Sequence, residues 1–158
     1  MVYIAISGHR GLDASTSTLV QAAINGALAE HSSDVTGLSC LADGADQIFA
    51  RAVVDRGGTL EVVVPAQKYR ESLPALSHNE YDALTARART IHRLNFVEST
   101  PESHMEASRV LLDLADELYA VWDGEPARSY GGTADVVSEA HSRGMTVHVI
   151  WPEGAKRD

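Results

Sequence analysis

Glu117 to Glu139 reads ELYAVWDGEPARSYGGTADVVSE, and the reading of this stretch decides the fold. Leu118 to Trp122 form an apolar run of strand character that Asp123-Gly124 ends. After the glycine pair Gly131-Gly132 and Thr133, apolar residues recur at Ala134, Val136, Val137 and Ala140, which is helical spacing. The unit is therefore strand, open loop, helix. A glycine pair at a helix start lets backbone N–H groups approach an anion, and the helix dipole favours negative charge there. A tight turn with a Thr N-cap uses the same residues equally well.

The same unit repeats outward along the chain. Val2 to Ile6 is a β-branched strand stopped by Ser7-Gly8-His9-Arg10-Gly11. A helix follows, capped by Asp13 or Ser15, with Leu19, Val20, Ala23, Ile24 and Leu28 on its apolar face. Leu38 to Leu41 is a second strand ending at Ala42-Asp43-Gly44-Ala45-Asp46, and Ile48, Phe49, Ala52 and Val53 form the next helical stripe. Leu60 to Val64 is a third strand, halted by Pro65. Residues 66–79 read as a long loop or broken helix, 81–91 as a helix, 93–97 as a strand, 101–115 as a helix, and 145–151 as the last strand. Repeated strand–helix units predict an α/β fold, a single-domain three-layer α/β/α sandwich with a mostly parallel sheet over 1–152, followed by a polar tail over 153–158.

In such sheets ligands bind outside the carboxyl ends of the strands, near the point where strand order reverses. That rule gathers the polar loops into one expected ligand pocket: Ser7, Gly8, His9 and Arg10 after the first strand, and Asp43, Gly44, Ala45 and Asp46 after the second. Asp123, Gly124, Tyr130, Gly131, Gly132 and Thr133 follow the fifth. Arg10 can grip a phosphate or pair with Asp13 or Asp46. His9 can donate to a ligand or pack against the next helix. Asp46 can cap its helix or hold a ribose hydroxyl.

The charge is 13 Lys and Arg against 22 Asp and Glu, a net −9, so nucleic acid is not an expected partner. The single cysteine, Cys40, permits no intramolecular disulfide, and the N-terminal apolar run is too short for a span or leader. A cytoplasmic protein with no membrane partner is expected. The seven histidines are scattered without paired-cysteine or HExxH spacing, so no metal site is expected, and no cofactor is expected either.

The set SGHR, GLSCLADGAD, VVVP and ELYAVWDG…GGTADVV resembles the SLOG superfamily of Rossmann-like domains. That group includes the LOG-type nucleoside-monophosphate phosphoribohydrolases, the DNA-processing protein DprA and the molybdenum-cofactor carriers. The resemblance implies a small-molecule nucleotide ligand in the pocket and leaves a homodimer open. The LOG signature, PGGxGT followed by x-E, places Asp135 on the position of the catalytic glutamate. The arginine of the family's Arg-Lys pair falls on Ala107-Ser108, so Arg109, one position later, is its nearest counterpart. That departure favours a nucleotide-binding sensor or carrier, with an N-glycosidic hydrolase as the alternative.

Overall fold

The computed structural model describes residues 1–31 and 34–157. Six strands alternate with helices: β1 (Val2–Gly8), α1 (Ala14–Ala29), β2 (Val35–Ser39), α2 (Ala45–Asp55), β3 (Thr59–Ala66), the short α3 (Tyr69–Ser72), and α4 (His78–Arg87). The order continues with β4 (Thr90–Phe96), α5 (Pro101–Leu114), β5 (Glu117–Val121), α6 (Thr133–Ser142) and β6 (Thr146–Val149). The strands form one sheet in the order β4-β3-β2-β1-β5-β6, and every neighbouring pair is parallel. The expected architecture is present, with a wholly rather than mostly parallel sheet.

Alternation within the strands builds two cores. Ile4 and Ile6 of β1 and Tyr119 and Val121 of β5 pack with Val20, Ile24 and Leu28 of α1 and Phe49 and Val53 of α2. Ala5, Leu118 and Ala120 point the other way, against Met105 and Leu111 of α5 and Val136, Val137 and Ala140 of α6. Side chains two apart on a strand share a face, so the Leu-Tyr-Ala-Val run of β5 serves both cores at once.

The chain steps in one direction from β1 to β4 and then crosses back to lay β5 on the other side of β1. Strand order therefore reverses between β1 and β5, and the crevice at their carboxyl ends is the expected ligand position for this topology.

Element boundaries depart from expectation where proline and burial intervene. Pro65 does not end the third strand: β3 runs on to Ala66, with its register against β4 slipping between Val64 and Ala66. Proline lacks the N–H a ladder needs, and the slip accommodates that loss inside the strand. The helix expected over 81–91 stops at Arg87, because Thr90 and Ile91 already pair with Glu61 and Val62 of β3. The stretch expected as a loop over 66–79 instead folds into α3, a turn of 3-10 helix (Ala75–Ser77) and the start of α4, and it buries Tyr69 and Leu73. In the polar tail, Lys156 N–H donates to Thr16 Oγ1 at 2.9 Å, which ties the chain end to α1; Asp158 lies outside the described residues.

Candidate functional site

The loops after β1, β2 and β5 are stitched together by close backbone contact. His9 N–H donates to Val121 C=O at 3.1 Å, and Ala45 N–H donates to His9 C=O at 3.2 Å. A Cβ on Gly8 would stand 2.4 Å from that of Ala45 and 2.8 Å from that of Val121, so only glycine lets β1, β5 and α2 meet here. Gly44 has φ +89°, and a Cβ there would stand 2.6 Å from His9 O. Around this junction opens a cleft of about 370 Å³, within the usual range for small-molecule sites.

Ser7, Gly8, His9, Arg10, Asp46, Tyr130, Gly131, Gly132 and Thr133 line this cleft, so the structure brings together nine of the residues singled out from sequence. Asp43 and Gly44 line a neighbouring open groove and touch the cleft through their partners. Asp43 accepts from Arg10 Nε at 2.9 Å and from Gly11 N–H at 3.0 Å, which splints the loop after β1. Arg10 thus takes neither Asp13 nor Asp46. Ala45 lies in the wall behind Gly8, and Gly124, with φ +85°, turns the chain after β5.

One helix, α6, begins at the cleft, and α2 begins beside it, at the neighbouring groove. Gly44 is the N-cap of α2 and Gly132 that of α6, and neither receives a side-chain cap, so Thr133 is the first helical residue and not a cap. Four cationic side chains line the same space: Arg10, Arg128, Lys156 and Arg157. Among the described residues Arg128 and Lys156 take part in no ion pair, while Arg157 stands 3.7 Å from Asp123. The cleft is locally basic in a chain whose net charge is −9.

His9 sits at the centre, 3% exposed. Asp123 N–H donates to its Nε2 at 3.0 Å, Asp123 Oδ1 lies 3.1 Å from the same nitrogen, and Trp151 meets the ring edge-on at 5.4 Å. Burial lowers the His9 pKa, helped by Arg157 and opposed by Asp123. A neutral ring accepting at Nε2 carries its proton on Nδ1, which has no partner among the described residues.

Asp135 and Arg109 stand elsewhere. The Asp135 carboxylate accepts from Gly131 N–H at 2.9 Å, closing the GGT turn, and does not line the cleft. Arg109 pairs with Glu106 and Glu139 on the outer surface of α5 and α6 and donates to Tyr130 Oη at 3.3 Å. The cleft wall on α5 is formed instead by His104, Ser108 and Leu111, one helical stripe.

The far end of the cleft, above β2 and β3, holds residues that sequence reading had not placed in the site: Cys40, Tyr69 and His104. Burial pushes the Cys40 thiol and the Tyr69 phenol well up. Asp46 faces them; its Oδ2 accepts one long bond, from Ala42 N–H at 3.3 Å, and burial pushes its pKa up to about 7. The α5 stripe was open to detection from its spacing. Tyr69, Lys156 and Arg157 reach the site only through chain reversals that no local pattern announces. Among the described residues no group of three or more His, Cys, Asp or Glu could hold a metal ion, and no helix is long and apolar enough to cross a membrane.

Fold and cleft together define a Rossmann-like α/β domain with a locally basic crevice at its topological switch point. Solved structures share that fold. DNA processing protein A from Helicobacter pylori matches over 98% of this chain and 68% of its own, with a TM-score of 0.70 and 13% identity. DNA processing protein A (DprA) from Streptococcus pneumoniae matches over 98% of this chain and 52% of its own, with a TM-score of 0.69 and 18% identity. The protein TM1055 matches over 93% and 72%, with a TM-score of 0.60 and 18% identity. The chain spans about half the length of the pneumococcal protein, 52%. At these identities the likeness is one of fold. No protein-family model matches the chain, and no curated protein matches it in sequence.

The comparison corrects one expectation, the exclusion of nucleic acid. The Helicobacter pylori protein is described by its single-stranded DNA binding mode, so a chain of this fold serves a nucleic-acid partner. Net charge sums the whole surface, whereas a charged ligand responds to the local field, so a net −9 does not by itself exclude a nucleic-acid partner.

Proposed function

We propose that this protein binds a phosphate-bearing nucleotide in the cleft between the loops after β1 and β5. One observation carries the reading: the α6 start, which has no side-chain cap, and four cationic side chains converge on a single ligand-sized cavity at the sheet's switch point. The phosphate sits at the α6 start with Arg128 and Arg157, where N–H groups and charge act together. Binding without turnover is the better-supported form, because the Asp135 carboxylate is engaged by Gly131 N–H and stands outside the cleft lining. Hydrolysis of the N-glycosidic bond, which needs a carboxyl group at the sugar, remains the alternative.

A second reading, a short single strand of nucleic acid, is favoured by the fold shared with the Helicobacter pylori protein and by the groove that continues from the cleft past Gly11 and Leu12. Titration of mononucleotides and a single-stranded oligonucleotide at two salt concentrations tests both. A nucleotide at 100 times its Kd stabilises the fold by ~2.7 kcal/mol, seen as a raised Tm, and the gain disappears in the double variant Arg128→Ala, Lys156→Ala. A strand would instead show affinity falling steeply with salt, with a logarithmic slope near −0.7 per phosphate contacted. Absence of binding by every mononucleotide and by the strand would overturn the proposal. Free base released from a mononucleotide would establish turnover.

A further inference from the structure

The cleft has two chemically different ends. Above β1 and β5 it is cationic, and above β2 and β3 it is lined by Cys40, Pro65, Tyr69 and Asp46, with His104 of α5 beside them. Strand order places β2 two positions from β5. At ~4.8 Å per strand the two ends are separated by ~10 Å, the span from the phosphate of a 5′-mononucleotide to its base. A ligand whose phosphate lies at the α6 start therefore carries its base to the other end.

Among the described residues, Asp46 is the one carboxyl group that lines this second end. It stands at the second helical position of α2, its backbone C=O accepts from Ser39 Oγ at 3.1 Å, and that bond holds the residue in place. Its carboxyl group accepts only the 3.3 Å bond from Ala42 N–H, and Oδ1 has no hydrogen-bond partner among the described residues. Arg10, the nearest cation, spends its Nε on Asp43. A half-buried carboxyl group this weakly bonded, facing the cleft, gains from donors that arrive with a ligand.

We propose that Asp46 reads the nucleobase: its carboxylate accepts two adjacent N–H donors from the edge of a base seated above β2 and β3. The inference rests on the nucleotide reading above. Among the common bases, guanine presents such a pair of donors side by side. Adenine presents a donor beside an acceptor, which a carboxylate meets with one bond and an amide with two. The site consequently prefers a guanine nucleotide, and Asp46→Asn reverses that preference.

Binding also moves a proton. The carboxyl group, held near 7 by burial with Arg10 pulling down and Asp43 pushing up, is ionised by the incoming donors. The other titratable groups facing it are the Cys40 thiol and the Tyr69 phenol, both held neutral by burial, and His104, whose pKa burial and Arg10 lower.

Calorimetry with GMP, AMP and ribose 5-phosphate decides the matter, on wild type and on Asp46→Asn. At about pH 8 wild type should bind GMP at least about tenfold more tightly than ribose 5-phosphate, from two bonds to a charged acceptor. Asp46→Asn should lose that margin and favour AMP, with ribose 5-phosphate affinity unchanged. On wild type alone, GMP titrated at about pH 6.5 in buffers of different ionisation enthalpy should release a proton. If Asp46→Asn keeps the wild-type order of ligands, or no proton is released, Asp46 does not read the base and the nucleotide reading stands. If ribose 5-phosphate and both nucleotides fail to bind wild type, the nucleotide reading falls and this inference with it.

Discussion

The loops that open α2 and α6 use the same parts to different ends. Each has a glycine N-cap without a side-chain partner, Gly44 and Gly132, and each carries an aspartate in the first turn, Asp46 and Asp135. Asp135 folds back on its own loop and accepts from Gly131 N–H at 2.9 Å. Among the described residues the Asp46 carboxyl group has only the longer bond from Ala42 N–H, and burial lifts its pKa to about 7. One acid completes a turn; the other is left to the cleft. Each carboxyl group accepts from the N–H four residues before it, so the chemical capacity of a first-turn aspartate is set by how closely that donor approaches, 2.9 Å against 3.3 Å, and by whether the side chain faces the cleft.

The widest separation between the two loops is expected from their glycines. Gly44→Ala should cost about 2–5 kcal/mol in urea unfolding, from a backbone region close to glycine-only and a Cβ 2.6 Å from His9 O. Gly132 has φ −70°, open to any residue, and its Cβ would meet Ala127 and Ser129 of an exposed loop. Gly132→Ala should cost about 1 kcal/mol, in the range of mild overpacking. Equal losses would remove the distinction.

The aspartates come next. A carboxyl group with its folded pKa raised above the unfolded value, 3.8 to about 7, keeps more protons in the folded state. Stability from this group is therefore full below pH 4 and declines as pH rises toward 7. The decline amounts to at most about 4 kcal/mol at ~1.4 kcal/mol per pH unit, less whatever the cleft water returns to the carboxylate. Asp46→Asn should flatten that part of the pH–stability curve, and an unchanged curve would remove the contrast.

Asp135→Ala should lose about 0.5–2 kcal/mol, the usual cost of an uncompensated helix-start donor, while Asp135→Asn, which keeps an acceptor for Gly131 N–H, should lose little of it. If Asn is as damaging as Ala, the negative charge and not the hydrogen bond holds the turn. Smallest of all, Arg109→Ala should weaken nucleotide binding only slightly by calorimetry, since its partners Glu106 and Glu139 lie on the outer surface of α5 and α6 and its one tie to the cleft is the 3.3 Å bond to Tyr130 Oη.

Much of this molecule was legible from local pattern. The β-branched runs at Val2–Ile6 and Leu60–Val64 and the helical stripes at Val20, Ile24, Leu28 and at Val136, Val137, Ala140 are periodicities that a single segment expresses. Once those alternate, the parallel sheet and the side on which the loops converge follow from connection rules. The misreadings lie where local signals conflict with long-range pairing. Pro65 reads as a stop, yet β3 carries on through it because its neighbours Val64 and Ala66 still pair with β4. Residues 66–79 read as a loop because their apolar residues, Tyr69 and Leu73, follow no period, and their burial depends on α4 and α5.

Composition, the strand–helix alternation and the three glycine-bearing loops were determined by the amino-acid order itself, since each is a property of neighbours in the chain. Tertiary structure alone decided which polar groups share a cleft. It brought Lys156 and Arg157 back to the β1 loop, set Arg10 on Asp43, turned Asp135 into its own loop and left Asp46 with a free carboxyl oxygen. Those outcomes turn on distances between segments up to 140 residues apart, as in the Thr16–Lys156 tie, and on the dry surroundings that only packing creates.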